Sequence, residues 1–260
     1  METLIETVQW LFDPEHWTGY NGIPKRTLEH IELSFWAMLL GLVIAIPAGT
    51  LTAHYGRFGR LVINIGNLGR AIPTFAVLII LASWDVIGIS DLATIFALAI
   101  FAIPPLLVNT YVGVRDVDPL MTDAARGMGM SSKQTLFRVE LPLAIPLIAA
   151  GVRTTTVQVV ATASLAALVG GGGLGRYVVD GFALQDLPQM FSGVVLIAIL
   201  STVTDRLLAL LQRRLTPEPL RDLGGDVPGS DEAGLAQDSI AAGTAADMGM
   251  AEAESRGRDS

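Results

Sequence analysis

Apolar positions dominate five stretches of this chain, roughly 31–53, 61–83, 92–114, 146–169 and 189–211. A helix rising 1.5 Å per residue needs about 20 apolar residues to cross a hydrocarbon core about 30 Å thick. The pattern therefore predicts five membrane-spanning helices, because lipid offers no partner to an unpaired backbone group. The opening "METLIETVQWLF" has two Glu and no basic cluster, so it reads as a short interfacial helix rather than a cleavable signal. "DPEHWTGYNGIP" then sets aromatics among turn formers, as at a headgroup boundary. Residues 1–27 are thus expected to be an interfacial segment, followed by a membrane domain over 28–214.

Between the third and fourth apolar stretches the pattern breaks into "DAARGMGMSSKQTLFRVELP", residues 123–142. Asp118 followed by Pro119 is a helix start, since Asp caps and Pro suits the first helical position. A helix from there places Leu120, Ala124 and Met128 along one face. Gly127 and Gly129 permit a sharp reversal. Ser131 with Gln134 three residues on fits a capping box for a second short helix carrying Leu136, Phe137 and Val139. That helix is expected to stop near Pro142. Over 115–142 this makes a helix-turn-helix outside the membrane, either a docking element or an ordinary interfacial loop.

Charge sets the orientation. Arg57 and Arg60 lie in the first connection, Arg115, Arg126, Lys133 and Arg138 in the third, and Arg213, Arg214 and Arg221 after the last span. The second connection has no Lys or Arg, the fourth has only Arg176, and Lys25 and Arg26 oppose the trend. The balance predicts an outside N-terminus, a cytoplasmic 115–140 stretch and a cytoplasmic C-terminus. The net charge of -8 comes mostly from the segment after Thr216, rich in Gly, Ala, Asp, Glu and Ser. Residues 215–260 are expected to be a disordered acidic tail. The four basic and four acidic residues between 115 and 140 cancel, which argues against a nucleic-acid footprint.

Several chemistries are disfavoured. There is no cysteine, hence no thiolate and no Cys metal site. No G-x-x-x-x-G-K-[ST] phosphate loop occurs. "GGGGLG", 170–175, formally fits a dinucleotide fingerprint but follows a long apolar run rather than a strand. Gly170, Gly171, Gly172, Gly173 and Gly175 instead suggest a hinge or gate near the outer surface, or a packed helix end. His16, His30 and His54 show no ligand spacing, so no metal is expected.

Within the spans, Arg70 and Arg153 are costly in lipid and must snorkel, pair with an acid, or line a water-filled path. Arg70, Asn109, Arg153, Thr154 and Gln158 are the candidate path residues, although small polar residues more often join helices. Trp36, Phe75, Trp84 and Tyr111 offer the aromatic faces that quaternary ammonium groups favour.

The loop resembles the EAA loop of ABC-importer permeases: E-A-A, three residues, G, nine residues, then I-x-L-P. Asp123, Ala124, Ala125, Gly129, Val139, Leu141 and Pro142 fall at those positions, with Asp for Glu and Val for Ile. "RAIPTFAVLIIL", "VNTYVGVRDVDP", "VELPLAIPLIAAGVRT" and "ASLAALVGGGGLGRYVVDG" extend the likeness over roughly 28–212, to the osmoprotectant branch. The resemblance implies an all-α polytopic membrane protein of about five helices with a cytoplasmic coupling loop. It implies a non-catalytic subunit of the cell membrane that binds no cofactor itself. A separate ATPase hydrolyses ATP, grips the loop and drives the path open. A second permease subunit, identical or related, completes that path, and an extracytoplasmic binding protein delivers glycine betaine, choline or a similar solute. Five spans do not divide into matched three-helix repeats, which agrees with a path built from two subunits. Other readings are a permease for methionine or another amino acid, an ion-coupled carrier, or a non-transporting membrane anchor.

Overall fold

The computed structural model describes residues 2–84, 88 and 90–215, except for the side chains of Glu2, Arg70 and Leu215. The chain divides into two units, Met1–Leu215 and Thr216–Ser260. The second unit, and with it the expected acidic tail, lies outside the described residues.

Among the described residues, four helical runs are long and apolar enough to cross a membrane. They are α2 (Ile23–His54), α5 (Asp91–Arg115), the continuous run Ser132–Val169, and α10 (Leu187–Leu215). The expected span over 61–83 is different. It consists of α3 (Gly59–Ala71) and α4 (Thr74–Ala82), bent by 84° to each other. Pro73 causes the break: it has no N–H to donate, and it drives Ile72 before it to an extended φ −76, ψ 119. Counting the bent pair as one broken span gives five.

Two other boundaries move for stated reasons. α2 begins at Ile23 instead of near 31, so the expected boundary at 27 falls inside it. Pro24 sits in its first turn, where the missing N–H costs nothing. Glu29 then pairs with Arg26 at 2.8 Å and Lys25 at 3.8 Å, the spacing that supports a helix through polar residues. At the fourth span, the second loop helix does not stop at Pro142. α7 (Ser132–Thr135) passes through a π-turn, Leu136–Glu140, into α8 (Leu141–Thr162). The Leu141 N–H donates to the Leu136 carbonyl, five residues back. This wider turn carries the helix up to Pro142, which occupies the first turn of α8.

α5 is the centre of the bundle, with α2 on one side and α8 on the other. α10 packs on α8, and α1 (Glu2–Phe12) and α9 (Gly175–Leu184) lie along α10. The α2 surface carries a small residue every fourth position: Ala37, Gly41, Ala45, Gly49 and Ala53, all buried. A Cβ on Gly41 would lie 3.3 Å from that of Ala102, and one on Gly49 would lie 2.8 Å from that of Thr110. Lipid tails are as apolar as leucine, so nothing expels this face from lipid. Close van der Waals contact between the backbones holds it instead.

Gly49→Leu should therefore open the α2–α5 seam, at a cost of about 1–3 kcal/mol for overpacking. The melting temperature of the detergent-solubilised protein should fall by several degrees. Gly127→Ala, where an added Cβ meets nothing within 4 Å, should leave it unchanged or slightly raised. Equal melting of the two variants would contradict the seam.

Candidate functional site

The loop between α5 and α8 is built from local signals. α6 (Pro119–Gly127) starts where the Asp118 side chain accepts from the Leu120 N–H at 2.8 Å. It ends in a Schellman pair: Met130 N–H donates to the Ala125 carbonyl and Gly129 N–H to that of Arg126. Gly129 has φ +83, which a side chain strains, whereas Gly127 has an ordinary backbone. The reversal thus depends on one of the two expected glycines. The expected capping box is present, with Ser131 N–H to Gln134 Oε1 at 2.8 Å and the reciprocal bond at 3.4 Å.

This local structure sorts the loop residues. Leu120, Ala124 and Met128 share an outward face, with Leu120 75% and Met128 77% exposed. Phe137 adds a fourth exposed apolar side chain. Asp123 is exposed and only loosely paired with Arg126 at 3.9 Å, a contact worth little in water. Ala125 is buried and faces the loop's own interior, while Gly129 and Pro142 are exposed and Val139 is half-buried. Leu141 packs with Ala53, Val114 and Ala144 at the foot of the bundle.

Sequence reasoning missed His54, the last residue of α2. Its Nδ1 lies 2.6 Å from Glu140 Oε2 and its Nε2 lies 2.7 Å from Ser132 Oγ. Both partners belong to the loop's second helical stretch, so one ring ties that stretch to α2. Partners 86 and 78 residues away leave no local spacing to read.

The opposite end of α2 holds the glycine turn. A 3-10 stretch, Ala163–Val169, ends at Gly170 with φ +82. Glu29 Oε2 accepts from the Gly173 N–H at 3.0 Å. His30 accepts from the Leu174 N–H on Nδ1 at 3.3 Å, which leaves Nε2–H to donate to the Val160 carbonyl at 2.7 Å. A Cβ on Gly172 would come within 2.5 Å of Glu29 Oε2, so close approach as well as turn geometry accounts for the glycines. α9 follows. Its Tyr177 hydroxyl donates to the Asn21 carbonyl at 2.5 Å, and burial pushes that phenol up to about 12.

Beside the glycine turn lies a cavity of about 510 Å³. Arg26 on its wall is paired with Glu29, and Arg176 with Asp180 at 2.8 Å. Glu32 and Asp91 line the same cavity with no ion-pair partner among the described residues, and Trp36 is 47% exposed beside them. Lys25, which shares Glu29 with Arg26, also lines it, so the cavity wall carries three basic and three acidic side chains next to an open aromatic ring.

Arg153 makes a bidentate pair with Asp205 of α10, at 2.7 and 2.8 Å. That is the pairing alternative, and it joins α8 to α10. The Asn109 amide donates to the Pro105 carbonyl at 2.8 Å, and its side chain closes on Gly151 in the α5–α8 contact. Thr154 and Gln158 lie one turn apart on an exposed strip of α8. The side chain of Arg70 lies outside the described residues. No three His, Cys, Asp or Glu are grouped as a metal would need, among the described residues.

Residues 40–217 match the family of binding-protein-dependent transport system inner membrane components, and the chain belongs to that family. The choline transport system permease protein OpuBB of Bacillus subtilis is 35% identical over 76% of this chain and 90% of its own length. The carnitine transport permease protein OpuCB of Listeria monocytogenes is 35% identical over 78% and 92%. The osmoprotectant import permease protein OsmY of Salmonella typhimurium is 36% identical over 72% and 80%. Among solved structures, the permease chain of the inward-facing MetNI methionine ABC transporter matches with a TM-score of 0.66. It is 23% identical and covers 81% of this chain and 98% of its own, which shows a shared fold.

The left-handed Gly129 faces open space, so a side chain there costs only the backbone strain, about 1 kcal/mol. Gly129→Ala and Gly129→Asp should both insert and melt within a few degrees of the unaltered protein. Only the Asp variant, projecting a charge from the turn, should lose transport. Equal uptake by the two would show that nothing docks against Gly129.

Proposed function

We propose that this chain is the permease subunit of an ATP-driven importer of quaternary ammonium osmoprotectants such as choline, carnitine or glycine betaine. The observation that carries the reading is the cavity beside the glycine turn. Although three basic side chains share the wall, Glu32 and Asp91 have no ion-pair partner among the described residues, and with the open face of Trp36 they suit a permanent cation. A quaternary ammonium group has no N–H to donate, so an aromatic face and nearby negative charge are its natural recognition. The curated relatives support the same class through the solutes in their names.

In this reading the chain carries no catalytic group. A cytoplasmic ATPase pair hydrolyses ATP and seats on Leu120, Ala124, Met128 and Phe137, four exposed apolar side chains on a charge-balanced loop. Asp123, Ala125, Gly129, Val139, Leu141 and Pro142 shape that surface or support it from within. A second permease subunit, identical or related, closes the path along the Thr154–Gln158 strip. An extracytoplasmic binding protein delivers the solute to the cavity end. The C-terminus and the acidic tail 215–260 then lie in the cytoplasm, in keeping with the distribution of Lys and Arg. Tight recognition belongs to the binding protein, because a path that holds its solute strongly releases it slowly.

Vesicles containing this chain, its ATPase and its binding protein should take up labelled choline or glycine betaine when ATP is inside. Unlabelled carnitine should compete and methionine should not. Competition by methionine alone would transfer the reading to the amino-acid permeases whose fold it shares. A photo-crosslinker at Ala124, on the exposed face, should capture the ATPase. The same group at buried Ala125 should not. Failure of Ala124 to capture it would remove the docking role from the loop.

A further inference from the structure

α2 is fastened at both of its ends to segments remote in sequence. At the loop end His54 holds Glu140 and Ser132; at the other end Glu29 and His30 hold Gly173 and Leu174. We propose that α2 is a connecting rod. It carries movement of the loop 118–142 to the glycine turn 170–175, and His54 is the positioning residue that attaches the loop to it. The proposal rests on reading the loop as the ATPase's docking handle.

The attachment at His54 has the chemistry of a fixed joint. Its side chain is 3% exposed and that of Glu140 is 7%, so neither can exchange its partner for water. The carboxylate accepts from Nδ1–H. The Ser132 hydroxyl can donate to Nε2 or accept from it, so the joint holds in either state of the ring. Glu140 sits in the π-turn and Ser132 opens α7, so the ring grips the loop's second helix at two points. Movement of that helix has to move the end of α2 or break both bonds, of which the one to Glu140 is part-buried and the one to Ser132 lies at the surface.

The rod itself is a single helical run. From His30 to His54 is 24 residues, about 36 Å at 1.5 Å per residue. Pro47 lies inside it, yet Ile23–His54 remains one span. Its long side is the stripe of Ala37, Gly41, Ala45, Gly49 and Ala53. Along that stripe the two backbones meet over small residues, with Met38 and Leu42 the long α2 side chains packed beside it, and packed helices can shear by small displacements. At the far end the acceptors of the glycine turn's N–H groups sit on consecutive residues of α2. A displacement there reaches the turn without an intermediary. The same turn borders the cavity, so the rod joins the ATPase's handle to the solute's entry.

The test uses the full complex in vesicles, measuring ATP hydrolysed and solute imported together. The solute is whichever of choline or glycine betaine the unaltered complex imports. In His54→Ala the solute imported per ATP should fall at least tenfold, while the ATPase still co-purifies and still hydrolyses. Glu140→Ala should do the same, and the double variant should be no worse than the poorer single one. The chain has no cysteine, so Leu168→Cys supplies a single thiol next to the glycine turn. Its labelling rate should change when nucleotide binds, and His54→Ala should abolish the change. An unaltered ratio, a parallel fall of uptake and hydrolysis, or a labelling change that is absent with His54 present or persists without it would each overturn the rod. A complex whose uptake ignores ATP even with His54 in place would instead overturn the loop reading beneath it.

Discussion

The close approach of α2 to α5 is the contact on which the other arrangements depend. In water a helix pair is driven together by apolar surface. In lipid that drive is absent, and two backbones stay together only if they come near enough for dispersion along their whole length. Ala37, Gly41, Ala45, Gly49 and Ala53 supply that nearness on one helix, and Ala102, Leu107 and Thr110 meet it on the other. With α2 set against α5, His54 falls beside the loop that follows α5, and Glu29 and His30 fall beside the turn that follows α8. One interface therefore positions both ends of the molecule.

The largest polar side chains inside the bundle have named partners, whereas the hydroxyls of Thr50, Thr94, Thr155 and Ser201 are buried with none among the described residues. The His30 ring accepts from one remote backbone group and donates to another, which ties α2 to α8 and to the glycine turn. Arg153 and Asp205 neutralise each other across α8 and α10, where an isolated charge would be costly. Asn109 satisfies the Pro105 carbonyl, beside the proline pair at 104 and 105 that interrupts the α5 ladder. Apolar side chains are left facing outward in large numbers, and α10 shows this most clearly through Ile199, Leu207 and Leu210. Outward apolar faces suit lipid and a second subunit equally well.

What could be read from the sequence was what local chemistry decides. The Asp118 cap, the Ser131–Gln134 box and the Leu120–Ala124–Met128 face all depend on residues within one or two turns, and each is present. Hydropathy located the spans for the same reason, since length and apolarity are local. At Pro73 it gave the apolar stretch but not the 84° bend within it, which the proline itself announced. It also stopped the loop helix at Pro142, because the upstream π-turn that relieves the proline has no signature in composition. His54 was out of reach altogether, since its partners come near only after the helices have packed. The small-residue stripe of α2 was legible at its spacing of four, and it is the feature that would have marked that helix as the one to follow.

The two surfaces at opposite ends of α2 differ in a way that matches the work proposed for each. The loop exposes apolar side chains over a balanced set of charges, a surface that can stay docked through a cycle of closure and release because apolar contact survives small rotations. The cavity sets Glu32 and Asp91 beside a tryptophan with three basic side chains on the same wall, a surface that would hold a cation only loosely. Exposed carboxylates are well hydrated, so their hold on a passing cation is shallow, and a shallow site lets the solute go on once the path opens. On the proposed reading, a durable grip on the ATPase and a brief one on the solute are both needed, and α2 between them would let the first control the second. Strengthening the cavity without altering the loop would therefore slow transport rather than improve it, because the step added would be escape and not capture.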